Sequence, residues 1–332
     1  MALTIDTIIH FINNHVFHYS TAGLVAGTLM YLDHPWGIRT TITFFTFTVG
    51  LFLQALNEHV QAKRREKLRW SDEVVLVTGA AGGVGQMLID TLAVLQTTVV
   101  AVDVKEPAHL PEKATFYQCD LSDVDQVQAM YDKVVAEIGH PTVLVNNAGV
   151  VMPRTVLEQT LENVQKTMQI NAIAPIQLIQ MALPEMIRKK HGHIVNVSSV
   201  LGYTSSCRVT DYAASKAALS AYSEGLRQEL THKFGVGDKV HLTLVTPGLI
   251  ETPLFDGVAQ NPFLMPPVRP VDIVKSVIEA LENQVDTQIR LPFYTKVAPF
   301  FVGFPVPIKR LLYTITGSNN AMDAHNVLKK SD

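Results

Sequence analysis

The chain has 332 residues, enough for one large domain with appendages or for two smaller domains. Hydrophobic residues make up 47% and charged residues 17%, a balance that excludes an intrinsically disordered chain. The net charge of −3 argues against a nucleic-acid-binding protein. The two cysteines, Cys119 and Cys207, are too few for a disulfide framework or a CxxC-type zinc site, and no metal site is predicted.

Two charge-free stretches come first along the chain. Residues 7–32 contain no Asp, Glu, Lys or Arg, and residues 40–57 form a second such run of 18 residues. A helix of about 18 apolar residues is the shortest that is taken as a candidate membrane span. The sequence therefore predicts a helical membrane anchor within residues 1–70. The alternative is a pair of buried helices in a soluble protein.

Basic residues follow this predicted anchor. Five of them lie between positions 63 and 69, whereas only Arg39 precedes the second run. Because Lys and Arg flanks stay on the cytoplasmic side, we expect the chain after residue 60 to face the cytosol. A single span over residues 40–57 and a hairpin turning at residues 35–37 both fit this rule. Only the hairpin could enter the monolayer of a lipid droplet.

From residue 73 onward, short apolar strands alternate with helical stretches. The predicted strands are Val74–Val77, Val99–Val102, Val143–Val145, Ile194–Val197 and Leu242–Val245. Strands that are apolar almost throughout are typical of a parallel sheet with helices on both faces. We therefore predict an α/β fold with a doubly wound parallel (Rossmann) sheet over residues 71–291.

A glycine-rich turn, Thr78-Gly79-Ala80-Ala81-Gly82-Gly83-Val84-Gly85, follows the first predicted strand and precedes a helical pattern. Glycines permit a tight turn and the close approach of a pyrophosphate, to which the helix N-terminus offers free N–H groups. Asp103 ends the next strand, where a carboxylate would accept hydrogen bonds from an adenosine ribose. A simple strand-end cap is the alternative for Asp103. The pattern predicts a dinucleotide site.

The later motifs carry the candidate chemistry. Tyr212 and Lys216 stand four residues apart and so share one face of a helix. A nearby ammonium favours a phenolate, so we expect Lys216 to lower the pKa of Tyr212 toward the range in which a base is useful. Ser199 closes a neighbouring strand and could donate a hydrogen bond to a substrate oxygen. Asn146-Asn147-Ala148-Gly149 and Pro247-Gly248 close two further strands.

In order and spacing, these motifs resemble the short-chain dehydrogenase/reductase family over roughly residues 73–290. The resemblance implies that Tyr212 is the acid/base, that Lys216 holds the nicotinamide ribose, and that Ser199, not Ser198, orients the substrate oxygen. It implies that Asn171 helps to hold a proton-relay water. The implied catalytic residues are Asn171, Ser199, Tyr212 and Lys216. The implied cofactor contacts are Gly79, Gly83, Val84, Gly85, Asp103, Asp120, Asn147, Tyr212, Lys216, Pro247 and Thr252.

The choice of cofactor depends on the segment after Asp103. A carboxylate there repels the 2′-phosphate of NADP, so NAD is the preferred cofactor. Residues 104–115 carry Pro107 and Pro111, which predicts a short irregular link where family members place a helix. This link and Lys105 leave NADP possible.

The substrate side is apolar. The loop between Thr252 and Pro270 is rich in proline and aromatic residues and is expected to cover a lipophilic substrate, although an ordinary packed loop is the alternative. Cys207 is expected to form a pocket wall. Residues 292–332 contain four prolines, at positions 292, 299, 305 and 307, that forbid a straight membrane span. Their aromatic residues with Lys and Arg predict an extension that lies in a membrane interface.

The stretch Gly317-Ser318-Asn319-Asn320-Ala321-Met322-Asp323 is similar to the C-terminal end of the membrane-anchored retinol dehydrogenases and the 17β-hydroxysteroid dehydrogenases of lipid droplets. The apolar N-terminal segment and its basic flank also resemble that subgroup. This implies a retinoid, steroid or long-chain lipid as the alcohol or carbonyl substrate. It also implies a location on the endoplasmic reticulum or lipid droplets, with the catalytic domain facing the cytosol, and allows a homodimer. The alternative function is a catalytically idle, dinucleotide-binding scaffold on the same membranes. Such a scaffold usually lacks the tyrosine or the lysine, and both are present.

Overall fold

The computed structural model describes residues 67–258 and 260–323, together with Val49. The chain divides after Lys67 into two units, and the second carries the fold. Apart from Val49, the two charge-free runs predicted as a membrane anchor lie outside the described residues.

Seven parallel strands form one sheet in the order β3-β2-β1-β4-β5-β6-β7. The strands are β1 (Val74–Thr78), β2 (Thr98–Asp103), β3 (Ala114–Gln118), β4 (Val143–Asn146), β5 (Gly192–Val197), β6 (Val240–Val245) and β7 (Thr287–Ile289). The predicted parallel α/β sheet is confirmed. The strand order reverses at β1: β2 and β3 lie on one side of it, and β4 to β7 lie on the other. Such a topological switch point opens a crevice at the carboxyl ends of the strands.

Eight α-helices are present in the described residues. They are α1 (Gly83–Val94), α2 (Val124–Glu137), α3 (Leu161–Met168), α4 (Ala174–Lys189), α5 (Thr210–His232), α6 (Pro270–Asn283), α7 (Tyr294–Phe301) and α8 (Val306–Thr316). A π-helical turn, Gln169–Ile173, joins α3 to α4. Short 3-10 turns cover Trp70–Asp72, Val200–Gly202 and Pro253–Phe255.

Helices cover both faces of the sheet because successive strand side chains point to opposite sides. Leu76 and Leu144 belong to a core that also holds residues of α2, α4 and α5. Val75 and Val145, one position along each strand, belong to a second core with residues of α1 and α6. The apolar strands of the sequence are thus buried on both faces, as expected of a doubly wound fold.

The link between β2 and β3 is short and irregular, as predicted. Residues 104–113 contain no helix, and β3 begins at Ala114. Pro107 and Pro111 are unfavourable inside a helix. Without a helix, the link still brings β3 beside β2, with Asp103 paired to Gln118. The carboxyl end of β2 therefore stays open to the crevice.

One continuous helix among the described residues, Leu161–Lys189, is long and apolar enough to span a membrane, with a mean hydropathy of 1.2. Half of that apolar stretch is buried inside the domain. Leu178, Ile179 and Ala182 are fully buried in the core against the sheet. We therefore assign this helix to the domain core.

Candidate active site

A cavity of about 360 Å³ opens at the carboxyl ends of the central strands. Most of the predicted site residues line it: Gly79, Gly83, Val84, Asp103, Asp120, Asn147, Ser199, Tyr212, Lys216, Pro247 and Thr252. Two predicted residues, Gly85 and Asn171, are not among the residues that line it. The topology thus brings segments separated by more than 150 residues to one crevice.

The glycine turn between β1 and α1 leaves no room for side chains. Gly79 has a φ of +67°, and a Cβ there would lie 2.8 Å from the Cα of Ala148. A Cβ on Gly83 would lie 2.9 Å from the Thr252 side chain. Gly82 precedes α1 without any side-chain cap. The N–H groups at the start of α1 are therefore free of side-chain caps at the cavity, as a pyrophosphate requires.

Gly85 packs closely against the turn before α1. A Cβ on Gly85 would overlap the carbonyl oxygen of Gly79. The residue is buried in the first turn of α1. Its lack of a side chain therefore shapes the turn that borders the cavity, and its contact with the cofactor stays a prediction.

Two carboxylates lie on the β2 side of the cavity. Asp103 Oδ2 accepts a hydrogen bond of 2.9 Å from the Ala81 N–H, and Oδ1 accepts one of 3.3 Å from Lys105 N–H. Each oxygen keeps a further lone pair for a ribose hydroxyl. Asp120 accepts hydrogen bonds from the N–H and the hydroxyl of Ser122, which hold the pKa of its carboxyl below the usual value.

Asn147 ties the ends of β1 and β4 together. Its Nδ2 donates to the carbonyl oxygens of Thr78 (3.0 Å) and Gly79 (3.2 Å). The Thr78 hydroxyl in turn accepts from the N–H groups of Asn147 and Ala148, both at 3.1 Å. This network fixes the glycine turn against the central strand. Thr78 was not singled out from the sequence, and its position directly before Gly79 is the only local signal.

The candidate catalytic side chains meet at the centre of the cavity. Tyr212 and Lys216 are buried on α5, and the Lys216 Nζ lies 5.8 Å from the centroid of the Tyr212 ring. Nζ donates a 2.8 Å hydrogen bond to the carbonyl oxygen of Val197, at the end of β5. Ser199 hydrogen-bonds to the Tyr212 hydroxyl, while Ser198 is directed to the Lys216 carbonyl (2.8 Å). This geometry fits the predicted choice of Ser199.

The expected lowering of the Tyr212 pKa is not found. Burial raises the pKa of the Tyr212 phenol to about 12, and the hydrogen bond from Ser199 lowers it only in part. Burial also lowers the pKa of Lys216 to about 8. Both shifts have one cause, because a low-dielectric site disfavours the charged form of either group. The phenol therefore stays protonated at neutral pH in the protein as described.

Asn171 lies on the π-helical turn, and its side chain fixes backbone groups next to the site. Its Oδ1 accepts from the Val150 N–H (2.8 Å), and its Nδ2 donates to the Val150 carbonyl (2.9 Å) and to Ser215 Oγ (3.1 Å). Ser215 Oγ donates to the carbonyl oxygen of Tyr212 (2.7 Å). Asn171 thus holds the loop after β4 and the backbone of the catalytic helix.

A second buried bond lies one helical turn away. The Thr167 hydroxyl donates to Asp211 Oδ2 at 2.8 Å. Thr167 and Asn171 are four residues apart on one helix, as are Asp211 and Ser215 on α5, so the two bonds pin these helices in register. Thr167, Asp211 and Ser215 were missed from the sequence. Polar residues repeating at this interval were the signal that could have found them.

Apolar side chains gather on the substrate side of Tyr212. The Phe255 ring lies edge-on to the Tyr212 ring, with 6.3 Å between centroids and 83° between planes. Leu254 and Phe255, from the loop after β6, line the cavity, which is the position predicted for a substrate cover. The prediction for Cys207 is wrong. It is exposed and does not line the cavity, because it lies in the loop before α5.

The described residues fit a dinucleotide. The glycine turn offers space and N–H groups, Asp103 offers acceptors at the carboxyl end of β2, and Lys216 offers an ammonium beside Tyr212. Within the part of the chain that the structure describes, no group of three or more His, Cys, Asp or Glu side chains could hold a metal ion.

Known proteins with similar sequences include dehydrogenases, which agrees with a dinucleotide site. A family model described as short chain dehydrogenase matches residues 73–262. Short-chain dehydrogenase/reductase family 16C member 6 from Bos taurus is 31% identical over 261 residues, covering 75% of this chain and 81% of that protein. Epidermal retinol dehydrogenase 2 from Mus musculus is 32% identical over 291 residues, covering 84% and 90%.

Solved structures show the same fold. The structure of 4-hydroxyisoleucine dehydrogenase complexed with NADH superimposes with a TM-score of 0.60 at 21% identity. The match covers 66% of this chain and 96% of that one.

The fold and the site together define a nicotinamide-dependent oxidoreductase built on a parallel Rossmann sheet. Within that class, the chain belongs to the short-chain dehydrogenase family, whose model covers more than half of its length. It is an NAD(P)-dependent short-chain dehydrogenase.

Proposed function

We propose that this protein interconverts a lipophilic alcohol and its aldehyde or ketone with NAD, on a membrane, with the catalytic domain facing the cytosol. The substrate class is a retinoid, steroid or long-chain lipid. The observation that carries the proposal is the set of Ser199, Tyr212 and Lys216 at one cavity whose substrate side is apolar. Asn171 completes the set from outside the cavity wall, through its hydrogen bond to Ser215. An idle scaffold would have no need of this set.

The protein's own part in the chemistry is to orient the substrate and to move one proton. NAD held at the glycine turn, Asp103 and Lys216 would supply the acceptor for the hydride of the alcohol carbon. Ser199 Oγ would donate a hydrogen bond to the substrate oxygen, and the Tyr212 oxygen would exchange the hydroxyl proton with it. The raised pKa of Tyr212 keeps its phenol protonated at neutral pH, so the proton that reduction needs is present there, and oxidation gains as pH rises and the phenolate becomes more populated.

Two observations support a lipophilic substrate. The residues that touch the cavity near Tyr212 include Phe255, Leu254 and Ile250, so a bound molecule would meet hydrocarbon there. The name of the mouse relative, epidermal retinol dehydrogenase 2, points to the same chemical class. Oxidation of a panel of alcohols by the purified chain, from 2-propanol to retinol and steroid alcohols, tests the proposal. Turnover confined to small polar alcohols would contradict it.

The cofactor preference gives a separate prediction. Asp103→Asn should lower the ratio of kcat/KM with NAD to that with NADP by about tenfold, because it removes the charge that repels a 2′-phosphate. Steady-state kinetics with both cofactors measure this ratio. Asp90→Asn is the matched control, because Asp90 lies on α1 outside the cavity. A wild-type chain that already prefers NADP would refute the assignment of Asp103.

Exposed apolar side chains on α7 and α8 support the membrane location. They include Phe300 (68% exposed) and Leu311 (59%), with Lys309 and Arg310 on the same segment. Aromatic and aliphatic side chains beside basic residues suit a membrane interface. The proposed location is the endoplasmic reticulum or lipid droplets, with the N-terminal segment as the main anchor.

Membrane attachment and orientation can be measured in cells that express the tagged full-length chain. We expect the protein to stay in the membrane pellet after alkaline carbonate extraction. A C-terminal tag should be accessible when only the plasma membrane is permeabilised. A tag before Thr4 then separates the two anchors: protection indicates a single span, and accessibility indicates a hairpin. A protected C-terminal tag would contradict the cytosolic orientation.

A further inference from the structure

The chain returns to the active site after α8. Helix α8 ends at Thr316 and is capped by Gly317, which adopts a left-handed φ of +75°. Two hydrogen-bonded turns follow, from the Asn320 N–H to the Gly317 carbonyl (3.2 Å) and from the Asp323 N–H to the Asn320 carbonyl (3.1 Å). Residues 317–323 are called the tail below. Ala321 and Met322 of the tail are buried.

The tail and the end of α8 are tied to both loops on the substrate side of the cavity. The Asn261 N–H donates to the Thr316 carbonyl at 3.1 Å, and Ser318 Oγ contacts the Met265 sulfur at 3.7 Å. Both partners belong to the loop after β6. The Ser206 hydroxyl donates to the Ser318 carbonyl from the loop after β5. The tail therefore bridges two segments that follow neighbouring strands.

Met322 is packed on the catalytic tyrosine. It forms a buried apolar cluster with Val209 and Tyr212, and Phe255 packs against that cluster. Tyr212 and Phe255 also line the cavity, so the cluster and the cavity share two aromatic rings. Met322 is 5% exposed, although it stands 110 positions after Tyr212 in the sequence. Met322 thus belongs to the apolar cluster that supports these rings, and it does not itself line the cavity.

We propose that the tail is a specificity element of the active site, in which Met322 holds the rings of Tyr212 and Phe255 in position for a large apolar substrate. This rests on the proposed function, because it concerns the alcohol-binding end of the same cavity. Met322 is a positioning residue and does not take part in the chemistry. No residue of the tail lines the cavity, and the predicted cofactor contacts at the glycine turn, Asp103 and Lys216 keep their own partners, so cofactor binding should depend little on the tail.

The substitution Met322→Ala removes the packing behind both rings while leaving the backbone of the tail unchanged. We expect the Kd of all-trans-retinol, measured with tritiated ligand and the NADH-loaded full-length chain, to rise by about fivefold or more. The Kd of NADH should change by less than about twofold. Met322→Leu, which conserves volume, should restore retinol binding. Asn320→Ala is the matched control, since Asn320 is exposed in the same tail.

A second measurement does not depend on turnover. Hydrogen exchange of amides in residues 200–209 and 253–265 should become faster in Met322→Ala and in a chain ending at Thr316, and should stay unchanged in Asn320→Ala. Unchanged exchange in both loops, or an unchanged Kd of retinol in Met322→Ala, would overturn the role of the tail. Failure of the proposed function shows itself separately, as a wild-type chain that oxidises none of the alcohols in the panel.

Discussion

Replacing Tyr212 by phenylalanine should lower the turnover of a lipophilic alcohol by about a thousandfold, because the proton donor and acceptor is lost while the ring remains. The ring belongs to a buried cluster with Val209 and Met322. Phenylalanine keeps this packing, so the substitution isolates the loss of the hydroxyl. Binding of NADH, measured by fluorescence titration, should change by less than about twofold, since only one hydroxyl is removed while the glycine turn, Asp103 and Lys216 remain.

The control is Tyr222→Phe, a loss of hydroxyl on the same helix at a half-buried tyrosine outside the cavity. It should retain the wild-type rate. The rate of alcohol oxidation by the wild-type chain should also rise as the pH is raised above neutrality. The raised pKa of Tyr212 keeps the fraction of phenolate, which is the proton acceptor, small at neutral pH, and this fraction grows with pH. More than a tenth of the wild-type rate in Tyr212→Phe would remove this residue from the acid/base role.

Gly85→Ala should destabilise the protein by about 3 kcal/mol and weaken NADH binding strongly, because a Cβ there would overlap the Gly79 carbonyl. The obstacle is backbone, so it cannot rotate away as a side chain could. Relief requires movement of the glycine turn that borders the cavity. Thermal unfolding and NADH titration of the purified chain measure the two effects.

The same change at Gly225 provides the comparison. Gly225 lies in the interior of α5, and a Cβ there would meet no atom within 4 Å. Gly225→Ala should therefore stabilise the protein by up to about 1 kcal/mol through helix propensity and leave NADH binding unchanged. Equal behaviour of the two alanine variants would show that Gly85 is not a packing glycine.

Much of the domain could be predicted from local patterns in the sequence. Apolar runs such as Val74–Val77 specify buried strands because a covered parallel sheet tolerates few polar residues. The four-residue interval from Tyr212 to Lys216 specifies a shared helix face, and both side chains do lie at one cavity. Pro107 and Pro111 correctly predicted a link without a helix, since proline is unfavourable in a helix interior.

Electrostatic properties of the site were not available from the sequence. The neighbouring lysine predicted a lowered pKa for Tyr212, but the structure raises it, because both groups are buried and burial opposes either charge. The extent of burial depends on which chain segments cover α5. Those segments include Phe255 and Met322, which come from two separate parts of the chain.

The sequence by itself determined the five apolar strands β1, β2, β4, β5 and β6, the glycine turn and the pairing of Tyr212 with Lys216, because each depends on residues close together in the chain. Only the tertiary structure decided that Gly85 packs against Gly79, that Asn171 holds Val150 and Ser215, and that Met322 lies against Tyr212. Residues 317–323 are mostly small or polar, and nothing in this local composition indicates a buried partner 110 residues away. Contacts of that kind arise from the packing of the whole domain, which no local pattern encodes.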